Sequence, residues 1–264
     1  MPPDLTRLTS RLTAIALAAG RRITEVRNRP HAVTAKGDGS PLTEADLAAE
    51  EVIAAGLAEA APGMPVLSEE AAERPDFDPA GTFLLVDPLD GTREFVGASG
   101  EFTVNIALIS AGRPLCGVVH APALGRIWRG IVGRGAETAA VPDGAGAESL
   151  AWRPSRVRPK PAGALTAVAS RSHLDAATEA FLAGLAVAEH RSIGSSLKFC
   201  LVADGEADVY PRFGPTMEWD TGAGQAVLEA AGGRVTRPDG GAFTYGKATD
   251  GYRNGPFIAW GDAG

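Results

Sequence analysis

The longest regular pattern of apolar positions lies near the start of the chain. Apolar residues recur at steps of three and four over residues 5–26, which is typical of one face of an amphipathic helix that ends before Pro30. A loop is predicted at 36–41. A second helix is predicted to begin at Thr43, because Asp46 stands three residues later and gives a pattern close to a capping box.

Short apolar or alternating runs follow, and they predict strands in the first half of the chain. The strands predicted there are 64–67, 83–86, 102–108, 115–120 and 126–132. In the second half we expect strands to alternate with helices. The predicted elements are a strand at 165–169, a helix at 175–185, a strand–helix alternation over 195–236 and a last strand at 257–260.

The interval 137–150 is rich in Ala, Gly and Pro and carries little pattern, so we expect a domain boundary within it. The prediction is an N-terminal α+β domain, 1–145, and a C-terminal α/β domain, 146–264. Grouped strands followed by alternating elements indicate a layered α+β and α/β architecture, with the active site between the domains.

Composition limits the partners. The chain has 264 residues, a net charge of −7 and a sequence pI of about 5.2. An acidic chain of this kind does not suit a polymeric nucleic acid, which requires a basic surface. A small anionic substrate stays compatible with it, since bound cations can invert the local field.

Compartment is inferred from a few further features. The first residues show no signal peptide, and no apolar run approaches the roughly 20 residues of a membrane span. Cys116 and Cys200 lie far apart, which favours two reduced, packed thiols over a disulfide or a metal site. His31, His120 and His190 show no partner spacing and are interpreted as structural or surface residues. We therefore expect a cytoplasmic protein.

Acidic residues form four groups that could carry chemistry. Asp46 and Asp220 stand at predicted helix starts, the pair at 69–70 ends a strand, and Asp87 and Asp90 share a turn. Each group alone is equally compatible with an ordinary turn or helix cap. No single group therefore establishes a site.

The segment 87–92, Asp-Pro-Leu-Asp-Gly-Thr, has a stronger physical argument. A fully apolar strand delivers its first aspartate to the carboxyl end, where ligands bind in open α/β sheets. Pro88 fixes the backbone, which can leave the Leu89 carbonyl available and turn the second aspartate the same way. Gly91 permits close approach to an anion, and Thr92 adds a hydroxyl. An oxygen-only donor set selects Mg²⁺ or Mn²⁺ over Zn²⁺.

These motifs resemble those of a known family, the inositol monophosphatase-like, lithium-sensitive phosphatases. The matching segments, in the family's order and spacing, are 68–70 (SEE), 87–92 (DPLDGT) and 219–224 (WDTGAG). Further segments resemble the bacterial 3'(2'),5'-bisphosphate nucleotidase branch of that family. These are 40–46 (SPLTEAD), 87–95 (DPLDGTREF), 100–106 (GEFTVNI), 170–173 (SRSH), 194–200 (GSSLKFC) and 210–215 (YPRFGP).

The resemblance implies a layered α-β-α-β-α sandwich and a Mg²⁺-dependent phosphatase. The implied reaction converts adenosine 3',5'-bisphosphate to AMP and phosphate in sulfur assimilation and nucleotide recycling. Conversion of 3'-phosphoadenosine 5'-phosphosulfate to adenosine 5'-phosphosulfate is left open. So are a monomeric or homodimeric state and a peripheral location at the inner face of the cell membrane, for which the sequence has no basic amphipathic helix.

The resemblance also implies a metal site with two Mg²⁺ ions, and it leaves a weak third open. The implied ligands are Glu69, Asp87 and the Leu89 carbonyl for the first ion, and Asp87, Asp90 and Asp220 for the second. Thr92 and Asp46 would orient the attacking water and, with Glu69, form the catalytic group. The N–H groups of Gly91 and Thr92 would hold the scissile phosphate, beside Asp220. Glu70 is a residue behind the ligands, a ligand of the third ion or a solvated neighbour.

Substrate choice rests on fewer residues. Inositol-phosphatase relatives carry a Glu where Arg212 stands, so an arginine there would suit a second phosphate by bidentate contact. Lys198 and Ser195, at a predicted helix start, are further candidates, and Arg171 and His173 could contact phosphate or nucleobase. The alternatives are a surface arginine, a solvated lysine and a histidine bound to the backbone.

Two other functions remain as alternatives. One is an inositol or sugar-phosphate phosphatase of the same family, against which Arg212 and Lys198 argue. The other is a non-catalytic binding protein that retains the fold. A magnesium-dependent assay of phosphate release separates them.

Overall fold

The computed structural model describes residues 3–35, 41–72, 76–97, 99–170 and 175–262. Within these ranges the helices are α1 Leu5–Arg27, α2 Glu44–Ala60, α3 Thr92–Val96, α4 Ala176–Ala183, α5 Leu197–Ala203 and α6 Gly222–Ala230. The strands up to the middle of the chain are β1 Val33–Ala35, β2 Pro41–Thr43, β3 Val66–Ser68, β4 Thr82–Asp90, β5 Thr103–Ser110, β6 Arg113–Ala121, β7 Arg126–Ile131, β8 Gly135–Ala140 and β9 Arg153–Ser155. The later strands are β10 Leu165–Ser170, β11 Val187–Ile193, β12 Val209–Arg212, β13 Thr216–Met217, β14 Arg234–Thr236, β15 Arg253–Asn254 and β16 Phe257–Trp260.

Two large sheets organise the chain. The first runs β3-β4-β5-β6-β7-β8-β9 in strand order, antiparallel throughout except that β3 lies parallel to β4. The second runs β11-β10-β12-β16-β14, with β10 parallel to both neighbours and β16 antiparallel to both. Two short ribbons, β1-β2 and β13-β15, lie outside these sheets.

Helices and sheets alternate in layers. Helices α1 and α2 pack on one face of the first sheet, α5 and α6 lie between the two sheets, and α4 packs on the outer face of the second. This α-β-α-β-α order confirms the layered sandwich that the family resemblance implied. The first sheet is buried on both faces, so its central strands carry apolar side chains on both sides.

Strand β5 shows how one sequence serves both faces. Val104, Ile106 and Leu108 pack toward α1 and α2, whereas Ala107 and Ile109 pack toward α6. At some positions the side of the sheet that faces α6 carries glycine, because that helix approaches the sheet backbone closely there. At Gly117, for example, a Cβ would lie 2.8 Å from the Ala223 carbonyl oxygen, so glycine is required there.

Most of the predicted elements are confirmed, including the first helix, the capping box at Thr43 and the last strand. The alternation predicted for the second half did not include β11, whose residues are largely polar and exposed. The predicted loop at 36–41 ends earlier than expected, since Pro41 begins β2, and residues 36–40 lie outside the described ranges.

The domain boundary predicted at 145/146 can be compared with the point at which the chain leaves the first sheet. The interval 137–150 includes most of β8, and β9 pairs with β8 in the first sheet. The chain therefore leaves the first sheet only after Ser155. Strand β8 was not predicted, because its alanine and glycine residues give little alternation of apolar and polar side chains.

Two further features concern the exterior and the thiols. None of the helices in the described ranges has both the length and the apolar character needed to cross a membrane. Cys116 and Cys200 are buried and free, as the sequence predicted.

Candidate active site

A cleft opens where the ends of β3 and β4 meet the N-termini of α5 and α6. Its walls come from both halves of the chain, and most of the residues predicted from the sequence lie there. The cleft residues that the sequence singled out are Glu69, Asp87, Leu89, Asp90, Gly91, Thr92, Ser195, Lys198, Arg212 and Asp220. Asp46 lies directly behind Thr92.

The segment 87–92 is not the turn that was expected. Strand β4 continues through Asp90, and Asp87 pairs with Asn105 while Asp90 pairs with Thr103, so β4 holds one extra residue between them. Residues three apart in a regular strand point to opposite faces, and the bulge cancels that difference. Both aspartates therefore face the cleft.

A left-handed glycine then redirects the chain. Gly91 has φ of +91° and immediately precedes α3, which begins at Thr92. The left-handed backbone favours glycine, and a Cβ at Gly91 would lie in tight contact with the Glu101 carbonyl oxygen, at 3.1 Å. The bulge and this glycine together place two carboxylates, a hydroxyl and a helix start within six residues.

Three carboxylates converge at the base of the cleft. Oxygen atoms of Glu69, Asp87 and Asp220 all lie within 4.8 Å of one another. They reach this point from the end of β3, from β4 and from the turn before α6, so the cluster exists only in the folded chain. Asp90 lines the same cleft beside them.

The electrostatics of this cluster are unfavourable in the absence of a counter-charge. Burial raises the pKa of Asp220 well above its usual range, and the charges of Asp90 and Glu69 raise it further. Burial also raises the pKa of Asp90, which the nearby Lys198 ammonium partly offsets. A hard divalent cation fits this donor set, because every donor is an oxygen and the carboxylates repel one another until a cation joins them.

Thr92 and Asp46 form a hydrogen-bonded pair next to the carboxylates. The Thr92 hydroxyl donates to Asp46 Oδ1 at 3.2 Å and lies 3.4 Å from the Leu89 carbonyl oxygen. The other oxygen of Asp46 accepts the Thr43 N–H at 2.8 Å and the Thr43 hydroxyl at 2.6 Å. The capping box of α2 thus fixes a buried carboxylate with one oxygen turned toward the cleft.

Glu69 follows a strand that α2 also supports. The Ser68 hydroxyl donates to Glu50 at 2.6 Å, and Glu50 stands one helical turn after Asp46. The Glu69 N–H donates to the Val86 carbonyl at 3.1 Å. Helix α2 therefore helps to place both Asp46 and the residue next to Glu69.

The cleft also carries positive charge, from Arg212 and Lys198. Arg212 is buried, and its Nε and Nη2 donate to the carbonyls of Gly214 at 3.2 Å and Pro215 at 3.0 Å. Lys198 is also buried, and its Nζ donates to the carbonyls of Ile193 and Ser195. Burial lowers the pKa of Lys198 to about 8, Asp90 opposes that shift, and the Arg212 charge adds to it.

Three further residues were predicted to belong to the site. Arg171 and His173 lie outside the described residues. Glu70 is partly buried and is absent from the lining of the cleft within the described ranges.

Sequence reasoning assigned no role to Ser196 and Asn105, which the structure places against Asp90. The Ser196 N–H and hydroxyl both donate to Asp90 Oδ2, at 2.6 and 2.9 Å, and Asn105 donates to the Ser196 hydroxyl at 2.9 Å. The available signal was the Gly-Ser-Ser run before a predicted helix, which indicates a cap but not which carboxylate it meets.

Comparisons with known proteins agree with this geometry. The sequence model described as Inositol monophosphatase family matches residues 4–255. The chain is 44% identical over 236 residues to the protein named 3'(2'),5'-bisphosphate nucleotidase CysQ of Escherichia coli (strain K12), a match that covers 84% of this chain and 87% of that protein. The CysQ of Buchnera aphidicola is 37% identical over 244 residues.

Solved structures give the same result. The crystal structure of CysQ from Bacteroides thetaiotaomicron, a bacterial member of the inositol monophosphatase family, superposes with a TM-score of 0.81 at 37% identity and covers 98% of each chain. An inositol monophosphatase from Anabaena superposes with a TM-score of 0.77 at 26% identity, over 99% of this chain and 93% of that one.

Proposed function

This chain belongs to the inositol monophosphatase family, and from that premise we propose that it is a Mg²⁺-dependent 3'(2'),5'-bisphosphate nucleotidase. The reaction is hydrolysis of adenosine 3',5'-bisphosphate to AMP and phosphate. The observation that carries the proposal is a single cleft lined by both a carboxylate cluster and buried cations. Similarity to the CysQ proteins supports the choice of substrate.

The proposed cation site uses Glu69, Asp87 and the Leu89 carbonyl, and then Asp90 and Asp220. Two Mg²⁺ ions, with a third left open, are the proposed complement of the working enzyme. Bound there, Mg²⁺ supplies Lewis acidity toward phosphate oxygens and toward water. Glu70 is proposed as a residue behind these ligands.

Thr92 and Asp46 are proposed to handle the proton of the attacking water. The Thr92 hydroxyl already donates to Asp46, so its oxygen can accept a proton from a water in the cleft. Asp46 Oδ1 then receives the hydroxyl proton. The N–H groups of Gly91 and Thr92, at the start of α3, are proposed to orient the scissile phosphate.

The phosphate that is not cleaved is proposed to bind on the wall formed by Arg212, Ser195 and Lys198. Arg212 is held by two carbonyls and cannot swing away, so it is already oriented when the substrate arrives. Lys198 serves mainly to hold the loop that carries Ser195, because two of its protons are used by loop carbonyls. Arg171 and His173 are proposed to contact the phosphate or the nucleobase.

Rates of phosphate release from three substrates test this function. With Mg²⁺ present, we expect kcat/KM for adenosine 3',5'-bisphosphate to exceed that for inositol 1-phosphate by at least about tenfold, the factor that one lost charge-assisted contact gives. We also expect it to exceed kcat/KM for fructose 1,6-bisphosphate, which carries its two phosphates on a different scaffold. Preference for inositol phosphate would favour the sugar-phosphatase alternative. No turnover of any substrate would favour a binding protein.

A further inference from the structure

The loop 194–196 connects the two halves of the molecule at the cleft. It follows β11 in the second sheet, and it contacts Asp90, Glu94 and Glu101 of the first half. Gly194 has no room for a side chain, because a Cβ would lie 2.7 Å from Glu94 Cγ and 2.8 Å from the Glu101 carbonyl oxygen. Ser195 holds a left-handed backbone, with φ of +48°.

Such a loop is conformationally costly. A serine in the left-handed region is disfavoured relative to glycine, and the surrounding contacts must hold it there. Those contacts include Lys198, which donates to the carbonyls of Ile193 and Ser195. The Glu101 carboxylate also accepts the Gly194 N–H at 2.8 Å. A loop fixed in this way can place a side chain accurately.

Ser196 is the residue so placed. It stands at the N-cap of α5, yet its side chain makes no capping hydrogen bond to that helix. Its hydroxyl instead lies 2.9 Å from Asp90 Oδ2 and 2.9 Å from the Asp220 carbonyl oxygen. A hydroxyl has one proton, so it donates to one of these acceptors at a time. Its N–H donates to Asp90 Oδ2 at 2.6 Å in addition.

Asn105 completes the arrangement from strand β5. Its amide nitrogen donates to the Ser196 oxygen at 2.9 Å and lies 3.5 Å from Asp90 Oδ2. Both side chains are almost fully buried, with exposures of 1% for Asn105 and 2% for Ser196. Water therefore does not compete for these bonds.

As a consequence, the two carboxylate oxygens of Asp90 have different roles. Oδ2 accepts the Ser196 N–H and hydroxyl, while Oδ1 takes no part in those bonds. The carboxylate is thus held so that it can offer one oxygen, not two, to a cation. Because the Ser196 hydroxyl also lies 2.9 Å from the Asp220 carbonyl oxygen, the same residue links two acids that come from different layers of the fold.

We infer that Ser196 is a positioning residue for the cation site. Through loop 194–196, it holds Asp90 of the first half and Asp220 of the second half in a fixed relative position. The inference rests on the proposed function for the identity of the site. It extends that function by assigning Ser196 and Asn105, which contact neither water nor phosphate in the proposed mechanism. It also implies that a displacement of loop 194–196 would displace the ligands of the cation site.

Direct cation titration tests this inference. The full chain is freed of metal with a chelator, and Mn²⁺ is added while free Mn²⁺ is followed by electron paramagnetic resonance. We expect Ser196→Ala to weaken Mn²⁺ binding by about 10- to 100-fold, the usual effect of losing a partner that orients a ligand. The Mg²⁺ concentration for half-maximal turnover should rise by a similar factor, with kcat at saturating Mg²⁺ changing much less.

Ser155→Ala is a matched control. Ser155 is also buried, and its hydroxyl also donates to an aspartate, Asp204, at 2.6 Å, but it lies outside the cleft. We expect this variant to lose thermal stability without a change in Mn²⁺ affinity. If Ser196→Ala does not fold, Asn105→Leu removes the supporting donor and should weaken Mn²⁺ binding in the same direction.

Three results would overturn the inference: Ser196→Ala binding Mn²⁺ as the wild type does, both serine variants losing affinity equally, or the wild type holding no Mn²⁺. The titration needs no nucleotide. A failure of the proposed substrate would therefore leave the wild-type protein without turnover of adenosine 3',5'-bisphosphate while the comparison of Mn²⁺ affinities still decides the role of Ser196.

Discussion

At the scale of single residues, the cleft depends on acids whose environment opposes their charge. Burial raises the pKa of Asp90 and of Asp220, and the charges of Asp90 and Glu69 raise the pKa of Asp220 further. The fold holds these charges close together instead of letting them separate. Such an arrangement is stable as a charged cluster only when a cation binds. Its residues therefore destabilise the fold in the absence of a cation and are suited to metal binding.

Asp90→Asn tests the charge without changing the shape. The amide oxygen can still accept the Ser196 N–H, so the fold should be retained, as measured by thermal unfolding. We expect kcat to fall by at least about 100-fold, because the cation site loses one negative charge. Near-normal turnover would show that Asp90 serves the bulge and not the chemistry.

Arg212→Ala tests substrate selection. We expect kcat/KM for adenosine 3',5'-bisphosphate to fall by roughly ten- to a hundredfold, the value of a charge-assisted phosphate contact. Adenosine 3'-monophosphate lacks the second phosphate, so its kcat/KM should change little. The ratio of the two substrates is the informative quantity, since Arg212 also holds the carbonyls of Gly214 and Pro215 and its loss could disturb the cleft in general. Equal losses for both substrates would remove Arg212 as the specificity residue.

The sequence indicated these acids but not how they are held. Asp46, Asp87 and Asp220 were identifiable because their motifs match those of the family in order and spacing, and position in a motif does not depend on tertiary contacts. The partnership of Ser196 with Asp90 joins residues 106 positions apart, which no local pattern encodes. The bulge between Asp87 and Asp90 was not predicted either. Asp-Pro and Asp-Gly indicate a turn in the sequence, whether or not a neighbouring strand continues the pairing.

At the scale of elements, helices α1 and α2 fix one side of the site against the first sheet. His120 of β6 contributes to this packing, because its Nδ1 lies 2.9 Å from the Ala16 carbonyl oxygen and donates to it. The ring also fills the space beside Gly20, where a Cβ would lie 2.3 Å from it. A histidine in this position must stay neutral, since the surroundings offer its charged form no water.

His120 therefore makes stability depend on pH. Burial lowers its pKa to about 4, Arg21 adds to the shift and the bond to Ala16 opposes it. An unfolded histidine titrates near 6.5, so as pH falls from 6.5 toward 4 the unfolded state binds a proton that the folded state does not. The free energy of unfolding then decreases. Between pH 7 and pH 5 this residue should contribute a loss of about 2 kcal/mol.

His120→Asn isolates that contribution, because the amide can still donate to Ala16 but cannot be protonated. Urea unfolding of both proteins at pH 7 and pH 5 gives the comparison, and carboxylate titrations common to both cancel in it. We expect the variant to lose about 2 kcal/mol less than the wild type over this interval. Identical losses would mean that His120 is protonated in the folded protein at pH 5.

Element prediction succeeded where patterns were long and failed where they were short. The 23 residues of α1 supply several turns of apolar repeat, which is why its limits were predictable. Strand β11 has mostly exposed, polar residues at an edge of the second sheet, and its pairing with β10 decides its structure. The extent of the first sheet past 145 depends in the same way on pairing between β8 and β9.

At the scale of the whole molecule, the two halves divide the chemistry between them. The first half supplies most of the acids and the pair formed by Thr92 and Asp46, whereas the second supplies Asp220, the buried cations and loop 194–196. The cleft between them is where the two sets of charges meet. A substrate with two phosphates suits this cleft, because one phosphate can bind near the carboxylate cluster and the other near the buried cations.

The most direct test of this account is the rate of phosphate release from adenosine 3',5'-bisphosphate while Mg²⁺ is returned to enzyme held in excess chelator. We expect no turnover before Mg²⁺ exceeds the chelator and a saturable recovery afterwards, which Li⁺ inhibits as it does in the family that the sequence resembles. Full turnover in excess chelator would contradict the account, since no described residue replaces what the cation supplies at the carboxylate cluster.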